Sequence, residues 1–587
     1  MHCAPFSASH AHPVIRRTSV RSRRLGTALC GAAVLVGGLF AAAPAQAGDA
    51  PQPGSNPAVD YQDPVSALPP VSRPSTKSCT TTVRQDFGNT LGQPPYETTL
   101  APPAACEGPW NKVVLDWSGS VKGRQYDRLA GVFLGGAELF RTSTPEPDDD
   151  GITWSVAKDI TEFTPLLKDP HKLQIELGNV VNDTYTGTYK MKLQVTYYMA
   201  DKKHPAATTA DHVVPLGDEN SGSAPWLDVA KGGSATREVT LPRNITGARL
   251  QVYARGGGCD EQWFDAVPSD LAATAPDYLC GGGPYREVQV AVDGVPAGLA
   301  QPYPVVYSGG IVPTLWRPVP AIDQFRTEAY DIDLTPFAGE LSDGTPHQVS
   351  ITPYGANDSW TVDGALFLDT DAHAARTTGK VTTNTLGLAP DVATRQTAQD
   401  DGATAVSVRT GRSWKISGYV NTSHGRVTTT VDQDFAYSST GTVSKTGQDQ
   451  VVHQRDHGTT TVTTRARGRE TAQRHAWSYP IDVDMSIPLY GDYNNYELEA
   501  AVTQGRALKD SHRGGFGRWH LDAFTDDRLD ATGDLARKDG AVQKADGSSH
   551  ETYRGTTDTG TCYARDLTTA HGWVTADKQS SCRPTRH

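Results

Sequence analysis

The chain has 587 residues, of which 37% are hydrophobic and 20% charged, and a formal net charge of −12. That length exceeds a single core and implies several domains, and the acidity excludes nucleic acid and anionic membrane as electrostatic partners. The 57 glycines and 39 prolines suit turn-rich β-structure more than helix bundles.

At the N-terminus, Arg16, Arg17, Arg21, Arg23 and Arg24 precede an apolar run from Leu25 to Ala43, and Ala45-Gln46-Ala47 forms a small-x-small cleavage site. Residues 1–47 therefore read as a secretory signal peptide, and the protein as secreted after cleavage near Ala47. Arg23-Arg24 leaves twin-arginine export open. Removing these arginines takes the charge from −12 to −17. No other apolar run is long enough to span a bilayer, so no membrane partner is expected. Residues 48–76, rich in Pro, Ser and Ala, read as a disordered linker.

Short alternating segments follow. Val113–Trp117, Leu129–Leu134, Lys172–Leu177 and Tyr189–Tyr198 predict strands of a first β-sandwich over 77–205. Arg249–Ala254, Glu287–Val292, His347–Pro353 and Ala365–Asp369 predict a second over 206–380. The two look like copies. Arg128 to Gly136 matches Arg286 to Gly294 in strand length, opening Arg and closing Gly. Asp159-Ile160-Thr161-Glu162-Phe163 matches Asp333-Leu334-Thr335-Pro336-Phe337. The offset grows from 158 to 174 positions, which places an insertion around residues 296–320. After residue 380 Thr, Ser, Asp, Gly and Arg dominate, and Ser413–Val420, Gly425–Phe435 and Thr459–Arg465 predict a further β-rich region over 381–587.

Beyond the presequence six cysteines remain: Cys79, Cys106, Cys259, Cys280, Cys562 and Cys582. An even count in an exported protein points to disulfides, and pairing of neighbours is the simplest of 15 connectivities. Each such loop would contribute roughly 3 kcal/mol. There is no CxxC or HExxH, so no metal and no cofactor are expected.

Ionisable and aromatic residues gather near strand ends at three places. The first holds Arg124, Asp127, Arg128, Arg141 and Glu146. The second is the glycine-rich run into Cys259 and on to Glu261 and Trp263. The third runs from Cys280 through Tyr285, Arg286 and Glu287. A loop closed by Cys259 and Cys280 would present a carboxylate and a ring, which suits carbohydrate. Trp263 and Trp316 sit in loop-like contexts and are the candidate sugar platforms. Trp110, Trp117, Trp154, Trp226 and Trp360 read as core. Chemistry on a sugar linkage needs two carboxylates. Asp127 is the first, kept ionised by flanking arginines, and Glu261 or Glu287 the second.

Asp116-Trp117, the runs Gly123 to Arg128, Val132 to Gly136 and Glu138 to Pro147, then Trp154 to Asp159 and Thr186 to Tyr189, form one ordered series. Glu261-Gln262-Trp263-Phe264 and Tyr285-Arg286-Glu287-Val288 continue it in the second block. Through these residues the stretch from Cys79 to about Asp369 resembles the peptide-N-glycosidase A family. A more distant similarity links the Asp-Arg strand start to the peptide-N-glycosidase F enzymes, whose key carboxylate carries over to Asp127. The resemblance implies an all-β fold of two adjacent jelly-roll-like antiparallel β-sandwiches followed by a β-rich C-terminal region, with a metal-free site between the sandwiches. It implies N-glycosylated peptides or glycoproteins as substrates and hydrolysis of the amide between the innermost N-acetylglucosamine and asparagine. The products would be aspartate and a glycosylamine. Arg286 or Arg141 would stabilise charge on the amide oxygen, with Arg124, Glu146, Trp263 and Trp316 as further substrate contacts. The rivals are a secreted glycoside hydrolase and a non-catalytic glycan-binding sandwich.

Overall fold

In the first block, residues 77–205, alternation of Tyr, Met, Leu and Val with polar residues produces strands with one buried face. Along Tyr189–Met199 the buried series is Tyr189, Met191, Leu193, Val195 and Tyr197. A computed structural model describes residues 60–582, apart from 149, 184, 493, 494, 516 and 540. The expected signal peptide and the first part of the expected linker lie outside the described residues. From residue 60 on, the linker segment has no regular element but is tied down. Val65 N–H donates to the Pro318 carbonyl (3.1 Å) and Ser72 N–H to Asp558 (2.9 Å). Ala67 is fully buried.

The first block contains β1 (Ser78–Phe87), β2 (Tyr96–Leu100), β3 (Trp110–Val121), β4 (Leu129–Leu134), β5 (Ala137–Ser143), β6 (Ile152–Asp159), β7 (His171–Leu177) and β8 (Tyr189–Met199). They form two antiparallel sheets, ordered β1-β8-β3-β6 and β2-β7-β4-β5. Trp117, Val132, Leu139, Leu173 and Leu193 lie in the core that joins them.

The second block contains β9 (His212–Pro215), β10 (Leu227–Val229), β11 (Ala235–Val239), β12 (Ile245–Gly256), β13 (Glu287–Val292), β14 (Val295–Ala300), β15 (Tyr330–Asp333), β16 (His347–Tyr354) and β17 (Trp360–Thr370). Its sheets run β10-β17-β12-β15, with β9 also on β17, and β11-β16-β13-β14. This repeats the order of the first block strand for strand. Two loops are longer in the second copy: 257–286 between β12 and β13, and 301–329 between β14 and β15.

The chain then forms β18 (Thr378–Asn384), β19 (Ala393–Ala398) and a meander from β20 (Thr404–Thr422) to β28 (Trp573–Ser581). Together they make one 11-stranded antiparallel sheet. Burial alternates along its strands, so one face is covered and the other solvated. The covered face shares a single hydrophobic core with the second block: Phe435, Trp477 and Ile481 join Val288, Leu299 and Leu315.

All-β architecture is as expected, but two jelly-roll sandwiches with a β-rich tail are not what forms. The described strands make five open antiparallel sheets, none closed on itself, and the largest merges its core with that of the second block. The reason is physical. Alternation determines which face of a strand is buried, not which strands pair or where a sheet ends. Among the described residues no helix is long and apolar enough to cross a membrane.

Candidate active site

Asp127 ends a loop that enters β4. The loop is held from both sides. Arg124 N–H donates to Thr186 Oγ1 (3.2 Å), Thr186 N–H returns a bond to the Arg124 carbonyl (3.0 Å), and Gln125 Nε2 donates to the Val180 and Gly187 carbonyls. Gly123, at φ +93°, makes the turn, and a side chain there would strike Thr186. Arg128 N–H donates to Thr144 Oγ1 (2.9 Å), which ties the loop to the chain leading to Glu146.

Both long loops of the second block arrive at this carboxylate. The loop 301–329 is wedged between the first block and the large sheet. Ser308 Oγ donates to the Thr144 carbonyl (3.0 Å), Thr327 N–H to the Arg141 carbonyl (3.1 Å), and Gln504 Nε2 to the Pro304 carbonyl (2.6 Å). It delivers the Gly309 amide to Asp127. A methyl group on Gly309 would lie 3.2 Å from both Asp127 Oδ1 and Glu146 Oε1. The two oxygens are therefore no more than twice that distance apart. Glu146 Oε2 accepts from Arg317 (2.6 Å), also on this loop, while its buried Oε1 has no hydrogen-bond partner among the described residues.

The loop 257–286 is pinned by the Cys259–Cys280 disulfide, and Cys79–Cys106 and Cys562–Cys582 are the other two bonds. Within it Asp260 turns inward to a buried bidentate pair with Arg286 (2.7 and 3.2 Å) and accepts from Trp360 Nε1 (2.6 Å). Its neighbour Glu261 is thereby aimed at Arg255, with which it forms an ion pair. The Arg255 guanidinium lies 4.8 Å from the centre of the Tyr307 ring.

Three carboxylates thus share one poorly solvated region. Burial drives the Asp127 carboxyl above its usual range against the pull of Arg255, Arg128 and the Gly309 amide. Burial likewise pushes Glu146 up to about 7, opposed by Arg317 and reinforced by the Asp127 charge. Glu261 also rises to about 7, by burial against Arg255, with Asp127 again adding to it.

Asp127, Glu146 and Glu261 are brought together, and Arg124 lies nearby with its guanidinium 5.9 Å from the Tyr185 ring centre. The side chains of the other expected site residues are engaged within the fold. Glu287 is fully buried and bound by both Arg412 (2.7 Å) and Gln289 (2.7 Å). Arg141 is fully buried in a bidentate pair with Glu138 (2.8 and 2.7 Å), between the Trp226 and Tyr253 rings. Arg286 serves Asp260. Trp263 and Trp316, the expected sugar platforms, are each 4% exposed, and Trp316 Nε1 donates to the Gly310 carbonyl (2.8 Å). Removing Glu287 should strand Arg412 in the interface. Glu287→Ala is expected to cost about 3–5 kcal/mol of stability, read by denaturant unfolding, while the folded enzyme keeps its kcat.

Sequence reasoning missed Arg255, Tyr307, Gly309 and Arg317. For Tyr307, Gly309 and Arg317 the available signal was the interrupted repeat, since residues added to one copy are free to serve a site; Arg255 lies within β12 and carries no such signal. Among the described residues no three His, Cys, Asp or Glu side chains are grouped to hold a metal ion. A cleft of about 820 Å³ lined by Lys158, Arg249, Glu328, Arg506 and Trp477 opens between the blocks, but none of the three carboxylates lines it.

Converging carboxylates backed by guanidinium groups are the equipment of a hydrolase working by proton transfer and charge stabilisation. The chain belongs to the peptide N-acetyl-β-D-glucosaminyl asparaginase amidase A family: the family model matches residues 66–386, and the model of the family's C-terminal domain matches 405–481. The peptide-N4-(N-acetyl-β-glucosaminyl)asparagine amidase A of Prunus dulcis is 35% identical over 405 residues, covering 66% of this chain and 70% of the relative. Among solved structures, peptide:N-glycanase F is similar over 50% of this chain and 96% of its own, at 16% identity and a TM-score of 0.32. PNGF-II is similar over 50% and 66%, at 14% identity and 0.35.

Proposed function

We propose that this member of the glycoamidase family hydrolyses the N-acetylglucosamine–asparagine amide of N-glycosylated peptides and glycoproteins with Asp127, Glu146, Glu261 and Arg255. The observation that carries this reading is the approach of Asp127 and Glu146 across Gly309, with Glu146 Oε1 buried and unpartnered. Asp127 takes a proton from water as the water oxygen bonds to the side-chain carbonyl carbon. Arg255, held by Glu261, stabilises the charge that develops on the carbonyl oxygen. Glu146, protonated, donates to the amide nitrogen as the C–N bond breaks. The products are aspartate and a glycosylamine, which loses ammonia in water, and the proton on Asp127 restores Glu146. Arg124, beside the Tyr185 ring, is the proposed substrate contact on this loop, and Arg128 bonds inward to Gln125. The protein acts outside the cell after removal of residues 1–47, the export pattern of its N-terminus supporting this.

The pH profile tests the assignment of Glu146. A donor with a pKa of about 7 is protonated below that pH and lost above it. The kcat/KM profile should therefore have an alkaline limb near pH 7, falling about tenfold per unit. Glu146→Gln should lower kcat and abolish the limb. An unchanged limb in Glu146→Gln would remove Glu146 from the mechanism.

A further inference from the structure

The Glu146–Arg317 pair has a third member from an unexpected part of the chain. Tyr61, in the irregular segment that precedes β1, is 6% exposed, and its ring centre lies 4.7 Å from the Arg317 guanidinium carbon. Arg317 is thus sandwiched between a ring and a carboxylate. A guanidinium over an aromatic face is held in orientation as well as in place. Tyr61 N–H in turn donates to Asp148 Oδ2 (3.4 Å), two residues beyond Glu146.

The next residue ties this corner to the far edge of the molecule. Gln62 N–H donates to the Gly572 carbonyl (3.0 Å), and Gln62 Oε1 accepts from Val574 N–H (3.1 Å) at the start of β28. A continuous series of contacts therefore runs from the last strand of the large sheet through Gln62, Tyr61 and Arg317 to Glu146. Arg537 of the large sheet, bonded to Tyr496 (3.0 Å), also acts on the Glu146 charge.

We propose that Tyr61 is a positioning residue for catalysis, locking Arg317 onto Glu146, and that the large C-terminal sheet acts on the active site through it. The proposal rests on the assignment of Glu146 as proton donor. Facing Glu146 are Arg317, Asp127 and Arg537, with Tyr61, Tyr126, Tyr189 and Tyr496 around them. Asp148 and Asp63 face Tyr61. Arg317 draws the Glu146 carboxyl downward. Loosening it lets that pKa rise, so the donor stays protonated to higher pH.

The test is the kcat/KM pH profile of the full chain on an N-glycopeptide. Tyr61→Leu should move the alkaline limb upward by about one pH unit, and Tyr61→Phe, which keeps the ring, should leave it in place. The limb's midpoint does not depend on how much of the preparation is folded. Should Tyr61→Leu fail to fold, Tyr61→Met is read in the same way. Gln62→Ala should move the limb in the same direction by less. A limb unmoved in Tyr61→Leu or Tyr61→Met, in an enzyme whose limb vanishes in Glu146→Gln, would overturn the positioning role alone. A limb that survives Glu146→Gln would instead overturn the assignment of the donor.

Discussion

Asp127→Asn should lower kcat by roughly 10²–10⁴-fold, the usual worth of a positioned general base, while the melting temperature stays close to that of the parent. The amide is isosteric with the carboxyl and can still accept from the Gly309 amide, so the loop from Gly123 to Arg128 keeps its bonds to Thr186, Val180 and Gly187. What the variant would lose is the proposed ability to take a proton from water. The pocket has no obvious replacement: Glu146 is the partner expected to be protonated, and Glu261 is committed to Arg255. Removing the Asp127 charge also removes one cause of the high pKa of both glutamates. Any residual activity should therefore lose its alkaline limb at lower pH than the parent. Steady-state kinetics on a defined N-glycopeptide, with thermal unfolding alongside, read both effects. A variant that retains most of its kcat would remove Asp127 from the chemistry.

Arg255→Met should have the next largest effect. Arg255 leaves the end of β12 just before the glycine-rich loop, pairs with Glu261 and lies over Tyr307. The methionine keeps much of the packing against the ring. It removes the donor proposed for the carbonyl oxygen, and loss of one such donor typically costs about 10²–10³ in kcat, or about 3–4 kcal/mol. KM should change little, because the interaction is made chiefly with the developing charge. Arg255→Lys should recover only part of the loss, since a point charge does not reproduce the planar fork that serves Glu261 and substrate together. Equal losses in kcat and 1/KM, with the same residual activity in Arg255→Lys, would point to simple substrate binding instead.

These residues also show how far a sequence can be read. Asp127 stands out in the sequence because it opens a strand and has no acidic counterpart in the second copy, where Tyr285 stands. Glu261 stands out through the cysteines that bracket its loop, and these do pair. The strand segments were legible too: Glu287–Val292 is β13 residue for residue. Pairing was not, because alternation in Gly425–Val443 is satisfied equally by a small sandwich sheet or by the third strand of an 11-stranded one. Glu287 stands beside Glu261 as a second candidate in the sequence, with Glu261 preferred for its Cys-anchored loop; its Arg412 partner comes from the large sheet and shows only in the fold. Trp263 and Trp316 looked like exposed loop aromatics, but tertiary packing covers them both. Arg317 and Tyr61 are separated by 256 positions and meet only in the folded chain.

Hydrolysis of a defined N-glycopeptide in ¹⁸O-labelled water, with both products weighed, tests the central claim most directly. Attack on the side-chain carbonyl predicts aspartate carrying one ¹⁸O atom and an intact glycan that leaves as the glycosylamine. A peptide that keeps its asparagine or an attached N-acetylglucosamine, with the label in the sugar, would contradict it.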